Sequence, residues 1–76
     1  MKIWFVGTSL PDGRWMPEGA FLSEGEACEA ANENEFVLLA TIGERFPIEA
    51  TDAEKVYWPK RERWEESTLY NIRHNA

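Results

Sequence analysis

Cysteine and histidine are almost absent from this sequence. Its 76 residues contain one of each, Cys28 and His74. A lone cysteine cannot form an internal disulfide, which favours a reducing compartment, and one cysteine with one histidine cannot supply the ligands of a structural zinc site. We expect Cys28 to be a buried structural thiol. His74 stands two residues from the end of the sequence, where we expect no rigid surroundings to orient it as a catalytic base.

Long apolar runs and known catalytic motifs are also missing. The apolar run IWFV is followed at once by Gly7, and it is too short for a signal peptide or a membrane span. The sequence contains no P-loop, no dinucleotide-binding glycine pattern and no HExxH zinc motif. We therefore predict a cytoplasmic protein that is not an enzyme, that needs no cofactor or metal, and that does not bind membranes.

Basic residues are scarce in the middle of the chain. Residues 23–54 contain nine acidic residues and a single basic one, Arg45, and the whole chain has a net charge of −6. This segment can attract a cationic partner by long-range electrostatics. It would repel the phosphates of a nucleic acid, so we expect no nucleic acid to bind on this face.

Aromatic residues are abundant, with four Trp, four Phe and two Tyr available for the core of one small domain. The segments KIWFVGTSL and RWMPEGAFL flank a PDG turn and predict a β-hairpin. Its second strand is expected at an edge of the sheet because it contains Pro17 and Gly19. EFVLLATI is apolar on both faces and predicts a central strand, and KVYWPK predicts a final strand.

Two helices are predicted. Ser23 and Glu26 form an S-x-x-E capping box at the start of a helix that extends to Asn32–Asn34. The segment RERWEESTLYNI, residues 61–72, has apolar residues at helical spacing and predicts a C-terminal helix. Residues 73–76 are predicted to be a frayed tail.

This order of elements predicts a single α+β domain over residues 1–76. It consists of a small antiparallel sheet, formed by the hairpin and two further strands, with the first helix packed on one face. The second face needs a cover, which is either the C-terminal segment or another molecule. Because an open apolar face would be an interface, a self-associating structural protein is an alternative function, with a homodimer formed through the spare sheet face.

The first candidate site is an acidic stripe. On the predicted helix, Glu26, Glu29 and Glu33 lie opposite the small apolar residues, and Glu35 follows them. Two interpretations remain open: the stripe binds a host protein that has a basic surface, or it is a solvated face that keeps a small protein soluble. Glu29 and Glu33 are like charges one helical turn apart, which destabilises a helix slightly and speaks against a purely structural origin.

The second candidate site is YWPKRERW, residues 57–64, in which aromatic and basic residues are interleaved. This pattern is typical of proteins that stack bases and contact phosphates, so a small nucleic-acid-binding protein is a further alternative. The residues of this site are Trp58, Lys60, Arg61, Arg63 and Trp64. In the other interpretation both tryptophans belong to the core and the basic side chains are simply solvated.

Four segments resemble a group of small uncharacterised phage and prophage proteins: GRW in the hairpin, GAFLSEGEACEAA, FVLLATIGERFP and VYWPK. Members of this group have a Trp-bearing hairpin, an aromatic residue before an S/T-x-x-E-A helix start, a valine-rich strand and a late aromatic-Pro pair. The resemblance covers residues 3–60 and implies a phage accessory protein, similar in size and charge to anti-CRISPR and other anti-defence inhibitors. We therefore predict a non-enzymatic, phage-type protein-binding module that inhibits a host defence protein.

Overall fold

The computed structural model describes residues 1–75, with side chains through residue 73. It contains one five-stranded antiparallel sheet with the strand order β2-β1-β3-β4-β5, and two α-helices. This architecture confirms the predicted α+β class. The elements are β1 (Lys2–Ser9), β2 (Trp15–Phe21), α1 (Glu24–Ala30), β3 (Phe36–Thr41), β4 (Lys55–Trp58), β5 (Arg63–Glu66) and α2 (Thr68–Asn75), with a short 3-10 turn at Ala50–Asp52.

The N-terminal hairpin forms as predicted and places β2 at one edge of the sheet. Gly13 adopts a φ of 89° in the turn, and the register of β1 and β2 shifts at Val6/Gly7, opposite Pro17. The shift is a β-bulge next to a residue without a backbone N–H donor, which is how proline is accommodated in an edge strand. The central position predicted for β3 is also confirmed, since it pairs with β1 and β4.

The C-terminal helix is shorter than predicted, because its first part is a fifth strand. Residues 63–66 pair with β4, and Trp64 lies opposite Tyr57. A turn connects the two strands, with Glu62 at a φ of 50°. Helix α2 starts after Ser67, whose hydroxyl accepts a hydrogen bond from the Tyr70 amide at 3.2 Å. The helical spacing in 61–72 was misleading because a four-residue strand is too short to show its own two-residue period.

Helix α1 is also shorter than predicted. The Ser23 hydroxyl accepts a hydrogen bond from the Glu26 amide at 3.4 Å, so the predicted start is correct. The helix nevertheless ends at Ala30, and the predicted extension to Asn32–Asn34 is wrong. Asn32 instead accepts a hydrogen bond from the Asn34 amide through its side chain at 2.9 Å. Asparagine side chains compete for backbone groups in this way, and here they end the helix.

Two clusters of buried residues lie on the two faces of the sheet. Helix α1 covers the first cluster, where Ala27 packs against Val6 and Val37. The second cluster consists of Trp15, Phe36, Leu38, Ala53 and Val56. Ala50 and Ala53 pack in this second cluster, and the Pro47 carbonyl accepts a hydrogen bond from the Trp15 indole, so part of that face is covered. A long connection between β3 and β4 supplies this cover, which was expected from the C-terminal segment or another molecule. The homodimer through a spare sheet face stays a prediction.

Helix α2 packs beside the 3-10 turn at Ala50–Asp52, and the Ser67 hydroxyl donates a hydrogen bond to the Thr51 carbonyl. The predicted tail 73–76 begins within α2, and residue 76 lies outside the described residues. Within residues 1–75, neither helix has the length and apolar character needed to cross a membrane.

Candidate functional site

The predicted acidic stripe is divided between a helix and a turn. Glu26 and Glu29 are exposed on α1, whereas Glu33 lies beyond its end, in the turn before β3. Glu35 is half-buried, and its carboxylate accepts a hydrogen bond from the Asn32 amide at 2.9 Å. The predicted like-charge pair of Glu29 and Glu33 on one helix therefore does not exist, because α1 ends first. Glu35 has a structural role in the turn.

The exposed glutamates of this stripe form no ion pair within the described chain. Five of the eight basic residues form ion pairs with other acidic residues, and within the described chain none of these pairs includes Glu26, Glu29 or Glu33. The surface around α1 is therefore acidic. The five ion pairs are Lys2–Glu54, Arg14–Asp12, Lys55–Glu24, Arg61–Glu65 and Arg73–Asp52.

The predicted nucleic-acid residues do not share one face. Trp58 packs on Phe36 at 5.4 Å between ring centroids, on the face opposite α1. Trp64 packs on Tyr57 at 5.5 Å, on the α1 face. A continuous stacking platform for bases requires both rings on the same side. Both tryptophans are instead half-buried against the cores, in agreement with the structural interpretation of this segment.

The basic members of that segment are also dispersed. Arg61 forms an ion pair with Glu65 and lies over the Trp58 ring, 5.8 Å from its centroid. Lys60 and Arg63 are exposed. The guanidinium group that is closest to an aromatic ring is therefore already neutralised by a carboxylate of the same hairpin, which weakens any field that could attract phosphate.

A surface that sequence reasoning missed lies in the connection between β3 and β4. Ile42, Phe46 and Ile48 are 60%, 52% and 60% exposed, and together we call them the apolar loop. The available sequence signal was ERFPI, in which Phe46 and Ile48 lie outside the predicted strands, whereas Ile42 was the last residue of the predicted strand EFVLLATI. A turn with three large apolar residues indicates either a cover for the core or a contact surface, and this loop has both properties.

The apolar loop is attached firmly to the core. The Phe46 ring stacks on Trp15 at 5.4 Å and 20°, and it meets Phe5 edge-on at 5.5 Å. The buried Trp15 indole donates a hydrogen bond to the Pro47 carbonyl at 2.9 Å. One side of Phe46 therefore belongs to the core while the rest of the ring faces solvent.

Two grooves adjoin Phe46. The first, about 420 Å³ in volume, lies between the loop and α2 and reaches Ile48, Tyr70 and Arg73. The second, about 120 Å³, lies over β1 and β3 and is bordered by Ile42. The two grooves share Phe46 and its two preceding residues, so the apolar loop and the grooves form one continuous surface.

Four of the polar side chains that line the first groove form two pairs. The Tyr70 hydroxyl donates a hydrogen bond to Glu44 at 3.0 Å, and Arg73 contacts Asp52 at 3.4 Å. Burial, followed by the interaction with Glu44, raises the pKa of Tyr70 above its ordinary value. The Tyr70 hydroxyl therefore stays protonated to a higher pH than an ordinary tyrosine and keeps its hydrogen bond to Glu44.

Cys28 and His74 are the two further residues whose side chains could carry chemistry. Cys28 is half-buried beside the α1 core, where burial and Glu24 raise the pKa of its thiol, partly offset by Lys55. A raised pKa disfavours the reactive thiolate. The side chain of His74 lies outside the described side chains. Within the described part of the chain, no three His, Cys, Asp or Glu residues are grouped as metal ligands.

Comparison of the chain with protein-family models, curated proteins and solved structures finds no match. We therefore infer function from the surfaces of the molecule itself.

Proposed function

We propose that this protein is a non-enzymatic protein-binding module that contacts its partner through the apolar loop. The observation that carries this proposal is the exposure of Ile42, Phe46 and Ile48, each more than half exposed around two adjoining grooves. A contiguous apolar surface of this kind marks an interaction site in a small protein. An aromatic side chain at its centre is the usual form of an energetic hot spot.

The attachment of the loop to the core supports a binding role. Because Phe46 is stacked on Trp15, and Trp15 is hydrogen-bonded to Pro47, the loop holds its conformation in the free protein. A surface that is already ordered loses little conformational entropy on binding, which increases affinity for the same contact area. A core cover without a binding role would be expected to direct its large apolar side chains inward.

The charge distribution supports a partner with a basic surface. Glu26 and Glu29 lie on α1, on the sheet face opposite the apolar loop, so one partner surface cannot cover both regions at once. We assign contact to the apolar loop and long-range attraction to the acidic surface. With the resemblance to phage proteins, this assignment favours a host protein, such as a defence protein, that is bound and inhibited in the bacterial cytoplasm.

The test is a binding measurement with the partner captured from bacterial lysate and then purified. The double variant Ile42→Ser, Ile48→Ser removes exposed apolar surface and leaves Phe46 in place. We expect its affinity to fall at least roughly ten-fold, as is usual when central apolar contacts are lost. The matched control is Leu22→Ser, which removes an apolar side chain that is 71% exposed elsewhere. Equal affinities of the double variant and the wild type would refute a contact role for the loop.

A further inference from the structure

The outer edge of β5 is open. It is the last strand of the sheet, and no described strand pairs with its far side. The Ser67 amide donates a hydrogen bond to the Glu54 carbonyl at 3.0 Å. This bond shows which residues of β5 direct their backbone groups toward β4. In an antiparallel ladder, alternate residues direct their backbone groups outward. Trp64 and Glu66 therefore present their N–H and C=O groups to a further strand.

The other edge of the sheet is poorly suited to such pairing. Strand β2 contains Pro17, which has no donor, and it is distorted by the bulge opposite Val6/Gly7. Both features are known to protect edge strands from added strands. Strand β5, RWEE, has neither proline nor glycine. Strand addition is therefore directed to the β5 edge.

The sequence of β5 is complementary to itself. If two β5 strands pair antiparallel about a two-fold axis at Trp64, Arg63 lies directly opposite Glu65 of the partner subunit, and this contact occurs twice. A shift of the pairing by two residues would keep the same backbone groups in contact, but it would place Glu65 opposite Glu65 of the partner subunit. Opposite charges stabilise directly facing positions and like charges destabilise them, so charge selects the first register.

The side chains are available for this contact. Arg63 is exposed, and no ion pair of Arg63 is found in the described part of the chain. Glu65 is paired with Arg61 through its Oε1 atom, which leaves Oε2 for a second guanidinium group. We propose that two copies of this chain associate through their β5 edges and form one continuous ten-stranded sheet. This dimer uses neither the apolar loop nor α1, so it is independent of the proposed function.

The dimer is expected to be weak. Its strands are short, and Glu66 would approach Glu62 of the partner subunit, which has the same charge. Sedimentation or light scattering should therefore extend to a protein concentration of about 1 mM, where a dimer with a dissociation constant of the same order becomes visible. We expect a monomer–dimer equilibrium within this range. A protein that is monomeric throughout would overturn the proposal.

A mixing experiment identifies the interface. The variants Arg63→Glu and Glu65→Arg each place like charges opposite each other twice, so each alone should dimerise roughly ten-fold more weakly than the wild type. An equimolar mixture of the two restores both opposite-charge contacts, and it should form a heterodimer. Lys60→Glu, a neighbouring charge reversal outside the strand, should dimerise like the wild type. Dimerisation that is unchanged in both single variants, or lost in the mixture, would exclude this edge.

Hydrogen exchange gives a second test that needs no variant. The Trp64 amide points outward in the monomer and donates a hydrogen bond in the dimer. Its exchange should slow as the concentration of the wild-type protein is raised, whereas the amides at the β2 edge should not change. Exchange of Trp64 that is independent of concentration while dimers form would place the contact elsewhere.

Discussion

Trp15 joins parts of the chain that are distant in sequence. Its ring is 7% exposed and contacts three phenylalanines, and its indole N–H reaches the Pro47 carbonyl. The ring also lies against Gly7 on the neighbouring strand. A side chain with this many neighbours determines which residues around it can be large. The hairpin therefore positions the apolar loop through one tryptophan.

Gly7 is required by this tryptophan. A Cβ atom at this position would lie 2.6 Å from Cε3 of Trp15. We expect Gly7→Ala to lower the free energy of unfolding by about 1–3 kcal/mol, because the ring or the strand must move. Urea denaturation measures the change. Gly25→Ala in α1 is the control, since it meets only the Ser23 hydroxyl at 3.8 Å and should stabilise the helix by about 0.5–1 kcal/mol. Similar effects of the two variants would contradict the close packing at Gly7.

At the scale of elements, each helix starts at a serine, and the two serines differ in their contacts. The Ser23 hydroxyl accepts the capping hydrogen bond of α1. The Ser67 hydroxyl accepts a hydrogen bond from the Tyr70 amide and also donates one to the Thr51 carbonyl. The second serine thus connects α2 to the turn that covers the core. This difference shows how a short helix of low apolar content is held in the fold: its cap is a tertiary contact as well as a local one.

The two caps should differ in their contribution to stability. We expect Ser23→Ala to reduce the free energy of unfolding by about 1 kcal/mol, the usual contribution of an N-cap. Ser67→Ala should cost about 1–2 kcal/mol, because it also leaves the Thr51 carbonyl without this donor. Urea denaturation measures both changes in the free energy of unfolding, from the shift of the midpoint concentration at an unchanged m value. A Ser67 variant as stable as the wild type would mean that α2 is not anchored through its cap.

At the scale of the whole molecule, charge and apolar contact are separated. The acidic surface around α1 and the apolar loop lie on opposite faces of the sheet, and the open β5 edge lies at its end. A small domain can in this way attract, contact and self-associate through different regions. Each region can be altered through exposed residues without disturbing the others: Ile42 and Ile48 in the apolar loop, Glu26 and Glu29 on α1, and Arg63 on β5.

Charge reversal of Glu26, Glu29 and Glu33 to Lys tests the acidic surface. The fold should persist, since all three side chains are exposed. Association with the partner should become slower and lose its dependence on salt, while dissociation should change little, as expected for long-range attraction. Stopped-flow mixing at several salt concentrations measures both rates. The control reverses Glu18, which is exposed on β2, outside α1, the apolar loop and the β5 edge. If the association and dissociation rates of the first variant equal those of the wild type, the acidic surface does not attract the partner and serves only solubility.

Local sequence rules were sufficient for much of the fold. The PDG turn, the cap at Ser23 and the doubly apolar β3 each depend on residues that are adjacent in the chain, so the hairpin, the start of α1 and the central strand could be predicted. The exposed glutamates of the acidic stripe were identifiable for the same reason. The order of the predicted elements also indicated the α+β class.

Only the tertiary structure decided the rest. Strand β5 forms because it pairs with β4 and because the Trp64 ring packs against Tyr57. Neither contact can be read from the four residues of the strand itself. The same pairing places Trp58 and Trp64 on opposite faces. The exposure of Phe46 depends on Trp15, which is 31 residues away in the chain. Sequence by itself determines what is local in the chain, because propensity, capping and turn chemistry act over a few residues. Which surfaces remain uncovered depends on contacts between distant segments, and these exist only in the folded molecule.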